Sequence, residues 1–279
     1  MKVGVAGLGL IGGSLLRALG GVGYDADAAV REIAAEEGFE VAESLEGLRG
    51  ADLVFVAVPP VVTADMVRAA LDAVPEACVA DTASMKRGLP RHERFVAAHP
   101  MAGAETGGWA ASSDGLLRGA TWAACPSGID ALLRLAEAVD ALGGAIVTCT
   151  PDEHDEAVAR TSHVPHLVAH ALAGLRNPLA GTAFRDMTRV ARADGALWAQ
   201  ILSSNRAAVE DALDEFEARL TALRTKLDDE TALREAWLAL PDARPTWREE
   251  RIDGIDALMG VPVRRLRRED GTLHAEVAR

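Results

Sequence analysis

Two kinds of region divide these 279 residues, and together they argue for an α/β domain with a doubly wound sheet followed by an all-helical domain. Over 1–150 short apolar runs alternate with stretches of helical spacing, whereas over 151–240 only helical spacing is found. The first apolar run also opens directly into a glycine-rich turn.

The apolar runs read as strands: KVGVAGL (2–8), LVFVAVP (53–59), ACVADT (77–82), RFVAAHP (94–100), ATWAACP (120–126) and AIVTCT (145–150). They are short, partly β-branched and apolar on both faces, as strands of a parallel sheet covered by helices should be. VGYDAD supplies one more strand, ending at Asp25. Between the strands, 27–38, 62–74 and 129–142 carry helical spacing. After TPDEHDEA the strands stop. Segments 152–174, 189–204 and 205–227 are rich in alanine and leucine at helical periodicity, with breaks at Asn177-Pro178 and Gly181. The remainder, 241–279, contains Pro241 and Pro245 near its start, and its residues specify no fold.

Apolar residues make up 49% and charged residues 25%, the balance of a water-soluble globular chain. Met1-Lys2 leads straight into VGVAGLG, a strand entering a turn and not a signal-peptide core. No run approaches the roughly 18 apolar residues that a membrane helix needs. Cys78, Cys125 and Cys149 are far apart in sequence, each in an apolar stretch, which suggests reduced, buried thiols and a cytoplasmic location. A formal charge of −13 argues against a nucleic-acid partner. The one basic stretch, Arg248 to Asp270, is interleaved with Glu249, Glu250 and Asp253 and reads as a solvated face or a subunit contact. Apart from Lys2, Lys86 and Lys226 the basic residues are arginine, which reads as genome composition.

GVAGLGLIGGS places Gly7, Gly9 and Gly12 in a G-x-G-x-x-G pattern after the first strand. The first glycine makes a tight turn, the second admits a pyrophosphate to the backbone, and the third packs helix against strand. The helix opening at Leu10 and Ile11 then turns its N-terminus to the phosphates. Asp25 follows Gly7 by 18 residues, the range at which a carboxylate accepts hydrogen bonds from a ribose diol and repels a 2′-phosphate. This predicts a Rossmann-type domain binding NAD in preference to NADP. Val58 and Pro59, at the end of the 53–59 run, complete the expected cofactor set.

Five of the seven histidines fall between 99 and 170. His99 closes the RFVAAHP strand just before a loop rich in glycine. His163, His166 and His170 have spacings of three and four, which put them on one helical face, so zinc coordination stays open beside ordinary structural roles. Pro165 places this segment in a first helical turn. Arg185, Arg189 and Arg192 also recur at helical spacing, with Arg189 in an apolar turn. Such an arginine pairs with a carboxylate of the protein or of a substrate.

In GLGLIGGS (7–14), DTASMK (81–86), HPMAGAETGG (99–108), SHVPH (162–166) and FRDMTRVA…LW (184–198), the chain resembles the prephenate/arogenate dehydrogenases of tyrosine biosynthesis. The resemblance covers roughly residues 1–210. It implies an NAD-binding domain over 1–150, and a helical domain over 151–240 through which two subunits form a homodimer. The implied reaction is oxidative decarboxylation of prephenate to 4-hydroxyphenylpyruvate, or of arogenate to tyrosine. By the same resemblance His99 hydrogen-bonds the ring 4-hydroxyl and helps take its proton, which suits a neutral imidazole near neutral pH. Ser84 sits beside that hydroxyl, Arg189 holds a substrate carboxylate, and His166, His163, Glu105 and Trp198 line the pocket. No metal is implied.

The chain departs from the family pattern between SHVPH and FRDMTR, where it is short and AGTAF replaces a more glycine-rich stretch. That keeps open a dehydrogenase for an amino-deoxy analogue of prephenate. A non-catalytic NAD sensor is the reading from another class, and it has no need of Ser84, His99 and Arg189 together.

Overall fold

Strands from both ends of the chain meet in one sheet in the computed structural model, which describes residues 1–104, 106–175, 177–239, 247–269 and 271–278. Two compact units emerge, one of Met1–His154 with Trp247–Arg279 and one of Asp155–Thr246.

The first unit begins β1 (Val3–Ala6), α1 (Leu10–Leu19), β2 (Val22–Tyr24), α2 (Ala28–Glu36), β3 (Glu40–Val41), β4 (Leu53–Val56) and α3 (Pro60–Ala73). It continues with β5 (Cys78–Asp81), β6 (Phe95–Pro100), β7 (Thr121–Pro126), α4 (Ile129–Ala141) and β8 (Ala145–Thr148). From β3 to β6 the spatial order is β3-β2-β1-β4-β5-β6, the Rossmann order, and every neighbouring pair is parallel. β1 and β4 are buried at all their positions, so their sequences show no polar alternation.

The expected parallel sheet reverses at its seventh strand. β7 runs antiparallel to β6, with His99 opposite Ala123, and β8 then lies parallel to β7. A parallel neighbour needs a crossover helix, and the described residues of 101–120 contain only a short 3₁₀ turn, Trp109–Ala111. The loop instead folds back on α1, where the Ser113 N–H donates to Ser14 Oγ at 3.0 Å and Arg17 lies over the Trp109 ring at 4.2 Å.

The tail whose fold the sequence left unspecified is a three-stranded meander on the same sheet. β9 (Trp247–Ile252), β10 (Pro262–Glu269) and β11 (Thr272–Ala278) extend it in the order β8-β10-β11-β9, all antiparallel. The Thr148 hydroxyl donates to the Leu258 carbonyl, and the Gly260 N–H to the Thr148 carbonyl at 2.6 Å. The basic stretch is spent on neighbours: Arg264 pairs with Glu276, Arg268 with Asp130, and Arg267 with Glu249 and Glu269. Cysteines far apart in sequence also meet, the sulfurs of Cys125 and Cys149 standing 3.8 Å apart with no disulfide between them.

α5 (Pro151–Val158) leads out of the first unit. The second unit then runs through a π-helical turn, Ala159–His163, and α6 (Val164–Ala173), with Pro165 in its first turn. α7 (Thr182–Thr188), a 3₁₀ turn (Arg189–Arg192), α8 (Gly195–Ser204), α9 (Arg206–Arg224) and α10 (Glu230–Leu238) follow. The three arginines read at one helical spacing therefore do not share a helix. α7 ends at Thr188, whose hydroxyl bonds back to the Phe184 carbonyl at 2.7 Å, and the chain tightens before Arg189. No helix among the described residues is long and apolar enough to cross a membrane.

The core of this unit is small, built on Ala159, Val164, Ala208, Val209 and Ala212. Leu175, Leu179, Met187, Leu220, Leu227, Trp237 and Leu238 all remain exposed. So much uncovered apolar surface marks a protein–protein contact.

Candidate active site

The glycine turn stands at the carboxyl edge of β1, held by the Gly7 N–H donating to the Tyr24 carbonyl at 2.7 Å. Gly7 has φ of +97°, and a Cβ there would stand 2.4 Å from the Ala57 carbonyl oxygen and 2.9 Å from Val58 Cγ1. A Cβ on Gly12 would stand 1.8 Å from the Gly7 carbonyl oxygen. Both positions therefore admit only glycine. Gly9 is different, because its missing Cβ would meet nothing within 4 Å. It precedes α1, and no side chain caps that helix. Open space before an uncapped helix N-terminus, with its unshared N–H groups and partial positive charge, fits a pyrophosphate.

Asp25 follows β2 and is half-buried. Its Oδ2 accepts the Leu8 N–H at 2.7 Å and its Oδ1 the Asp27 N–H at 2.9 Å. The carboxylate thus fixes the turn, and each oxygen retains a lone pair for a ribose hydroxyl. Val58 and Pro59 lead from β4 into α3, against the same turn. These residues together fit a dinucleotide without a 2′-phosphate.

At the same edge, β5 and β6 are joined by side chains that sequence reasoning passed over. Asp81 and Lys86 form a fully buried ion pair with Nζ to Oδ2 at 2.5 Å. Lys86 Nζ also donates to the Ala98 carbonyl at 2.6 Å, while the Ala98 N–H donates to Asp81 Oδ1 at 2.9 Å. Ala98 is gripped by both its backbone groups, and His99 is the next residue. The Ala83 N–H donates to Asp81 Oδ2 at 2.9 Å, which fixes the turn carrying Ser84. Burial pushes the Asp81 carboxyl above its ordinary range, opposed by the Lys86 charge and the two backbone donors. Ser84 and His99 are both half-buried. His99 Nδ1 lies 3.0 Å from Nε2 of His154, a buried residue of α5.

The second unit gathers a different set. The His166 ring stacks on Trp198 with centroids 3.5 Å apart and planes at 24°, and His163 meets Trp198 edge-on at 6.0 Å. His166 Nδ1 stands 2.8 Å from the Ser162 carbonyl, and His163 Nδ1 stands 3.3 Å from the Asn205 amide. Partial burial holds the His166 pKa below its ordinary value; the Ser162 carbonyl opposes this and the Arg189 charge adds to it. Arg189 is exposed at the start of its 3₁₀ turn, in contrast to its expected apolar setting, because α7 stops before it. His170 is exposed as well, so the three histidines have three different surroundings. No group of three or more residues able to hold a metal ion occurs among the described residues.

Gly7, Gly9, Leu10, Ile11, Gly12, Asp25, Val58 and Pro59 thus surround one turn, while Ser84 and His99 share one clamp. His163, His166, Trp198 and the Arg189 charge belong to the second unit. Glu105 lies outside the described residues. Asp81, Lys86 and His154 were missed. The signal for Lys86 was its rarity, one of three lysines in an arginine-rich chain.

Known proteins resemble the chain along most of its length. Residues 16–157 match the family description "Prephenate dehydrogenase, nucleotide-binding domain", and 150–236 match "Prephenate dehydrogenase, dimerization domain". A cyclohexadienyl dehydrogenase of Zymomonas mobilis is 31% identical over 258 residues, covering 81% of this chain and 88% of the relative. The arogenate dehydrogenase of Synechocystis superposes with a TM-score of 0.72 at 27% identity, over 85% of this chain and 96% of that one. The prephenate dehydrogenase of A. aeolicus, solved with hydroxyphenyl propionate and NAD+, gives 0.71 at 27% identity, over 85% and 95%.

Proposed function

Because this chain belongs to the prephenate dehydrogenase family, we propose that it oxidatively decarboxylates prephenate or arogenate with NAD, as a cytoplasmic homodimer. The observation that carries the reading is one sheet edge. β1, β4, β5 and β6 are parallel, so the glycine turn, Val58, Ser84 and His99 all emerge at or beside their carboxyl ends. Ligands of such sheets bind at that edge.

When bound, NAD supplies the hydride acceptor for the ring carbon that bears the 4-hydroxyl. Neutral His99 takes the hydroxyl proton, and Ser84 hydrogen-bonds the same oxygen. The ring carboxylate departs as carbon dioxide, and aromatisation drives the reaction. Arg189 holds a substrate carboxylate by charge-assisted hydrogen bonds. His166 and Trp198 offer an aromatic wall, with His163 edge-on to Trp198, and the family resemblance adds Glu105 to the pocket lining. Asp25 accepts from the ribose diol and disfavours a 2′-phosphate. The exposed apolar side chains of the second unit meet a second copy.

The test incubates the purified chain with NAD and either prephenate or arogenate, and follows reduced nicotinamide and carbon dioxide together. Equal release of both with at least one substrate is expected. NAD binding with no turnover of either substrate would overturn the reading.

A further inference from the structure

We propose that His154 is the positioning residue for His99, selecting the imidazole tautomer in which the proton sits on His99 Nδ1 and the basic lone pair on Nε2. The inference rests on the assignment of His99 as the base. Nδ1 of His99 and Nε2 of His154 are 3.0 Å apart, with ring centroids at 5.2 Å and planes at 60°. Two imidazole nitrogens at this distance share one proton, so one donates and the other accepts. If His154 donated, Nδ1 of His99 would be the acceptor and its proton would sit on Nε2, facing the substrate with a donor. A base needs the reverse arrangement. His99 then donates from Nδ1 to His154, and its Nε2 lone pair receives the substrate hydroxyl proton. The resulting imidazolium keeps its Nδ1–H on His154 as a stronger, charge-assisted bond, and His154 itself neither gains nor loses a proton.

The structure fixes His154 firmly enough for this role. The residue is 1% exposed and sits in the first turn of α5. Thr150 and Glu153 cap that turn reciprocally. The Glu153 carboxylate accepts from the Thr150 N–H at 2.8 Å, and the Thr150 hydroxyl accepts from the Glu153 N–H at 3.2 Å. The His154 N–H donates to the Thr150 carbonyl at 2.9 Å. Asp152 in the same turn pairs with Arg87 at 2.6 Å, one residue beyond the Lys86 that grips Ala98. Both members of the histidine pair are thereby tied to the β5–β6 junction.

The test compares His154→Leu, His154→Gln and His99→Asn in the full chain, and records nitrogen-15 NMR of the wild-type imidazoles. Leucine offers no acceptor, whereas glutamine places an amide oxygen near the lost Nε2. His154→Leu is expected to lower kcat by about tenfold to a hundredfold, as for groups that orient metal-bound histidines. KM and NAD affinity stay unchanged, and His154→Gln restores most of the loss. The wild-type spectrum, assigned by its loss in His99→Asn, shows His99 protonated at Nδ1. A wild-type His99 protonated at Nε2 overturns the proposal without any variant. Full activity in His154→Leu while His99→Asn is inactive overturns it alone. Full activity in His99→Asn overturns the assignment of the base on which it rests.

Discussion

The β5–β6 junction and the His166–Trp198 patch hold their side chains in opposite ways. At the junction a buried ion pair and three bonds to backbone groups converge on Ala98 and the Ser84 turn, and the β6–β7 ladder holds Ala98 as well. At the patch, one ring stacks on another between short helical segments, α7 and its following turn bury no residue, and Arg189 is exposed. On the proposed reading the junction carries the proton transfer, which tolerates little displacement, and its two half-buried side chains are braced by that buried clamp. On the same reading the patch grips the substrate by charge, a task that an exposed side chain can perform.

Four substitutions can break this contrast. The largest effect is expected from His99→Asn, with turnover falling about 10²–10⁴-fold while NAD affinity, measured by titration, is retained. Lys86→Met comes next. It strips a buried carboxylate of its counter-charge and should cost about 3–5 kcal/mol in urea unfolding. Arg189→Ala should leave unfolding unchanged and raise KM about tenfold to a hundredfold at constant kcat, the worth of a hydrogen bond to a charged group. If it destabilised the fold as Lys86→Met does, the contrast would collapse. The smallest effect concerns pH. His166 has its folded pKa below the ordinary value of 6.5, so the neutral ring stabilises the fold fully above that pH, and this contribution is lost as pH falls through the lowered value. His166→Gln should flatten that part of a stability–pH curve measured by thermal melts.

The same contrast explains what could be read from residues alone. Strand–helix alternation and the glycine turn are local patterns, and they carried the fold class and the cofactor. The reversal at β7 was hidden because its sequence, TWAACP, is apolar after the first residue and so has the composition of a parallel strand. The tail was hidden because its strands, WREERI and PVRRLRRE, are crowded with charges that pair across the sheet. His154 and Asp81 lie 55 and 17 residues from the groups they hold, at His99 and Ala98, and no spacing rule links them. Arg189 was read as one of a helical row, and a threonine bonding back to the chain ended the helix first.

The meander of β9, β10 and β11 also sets an order of events during synthesis. β8 leaves the ribosome early, but its partner strand β10 is encoded beyond the 92 residues from Asp155 to Thr246. At about 5–20 residues per second, that interval lasts roughly 5–18 s. Throughout it the growing sheet carries an open edge at β8, the kind of edge that pairs with foreign strands. Slow translation of the helical unit therefore lengthens the exposure of the nucleotide-binding unit, and a chaperone that covers a sheet edge would act on this nascent chain during that window.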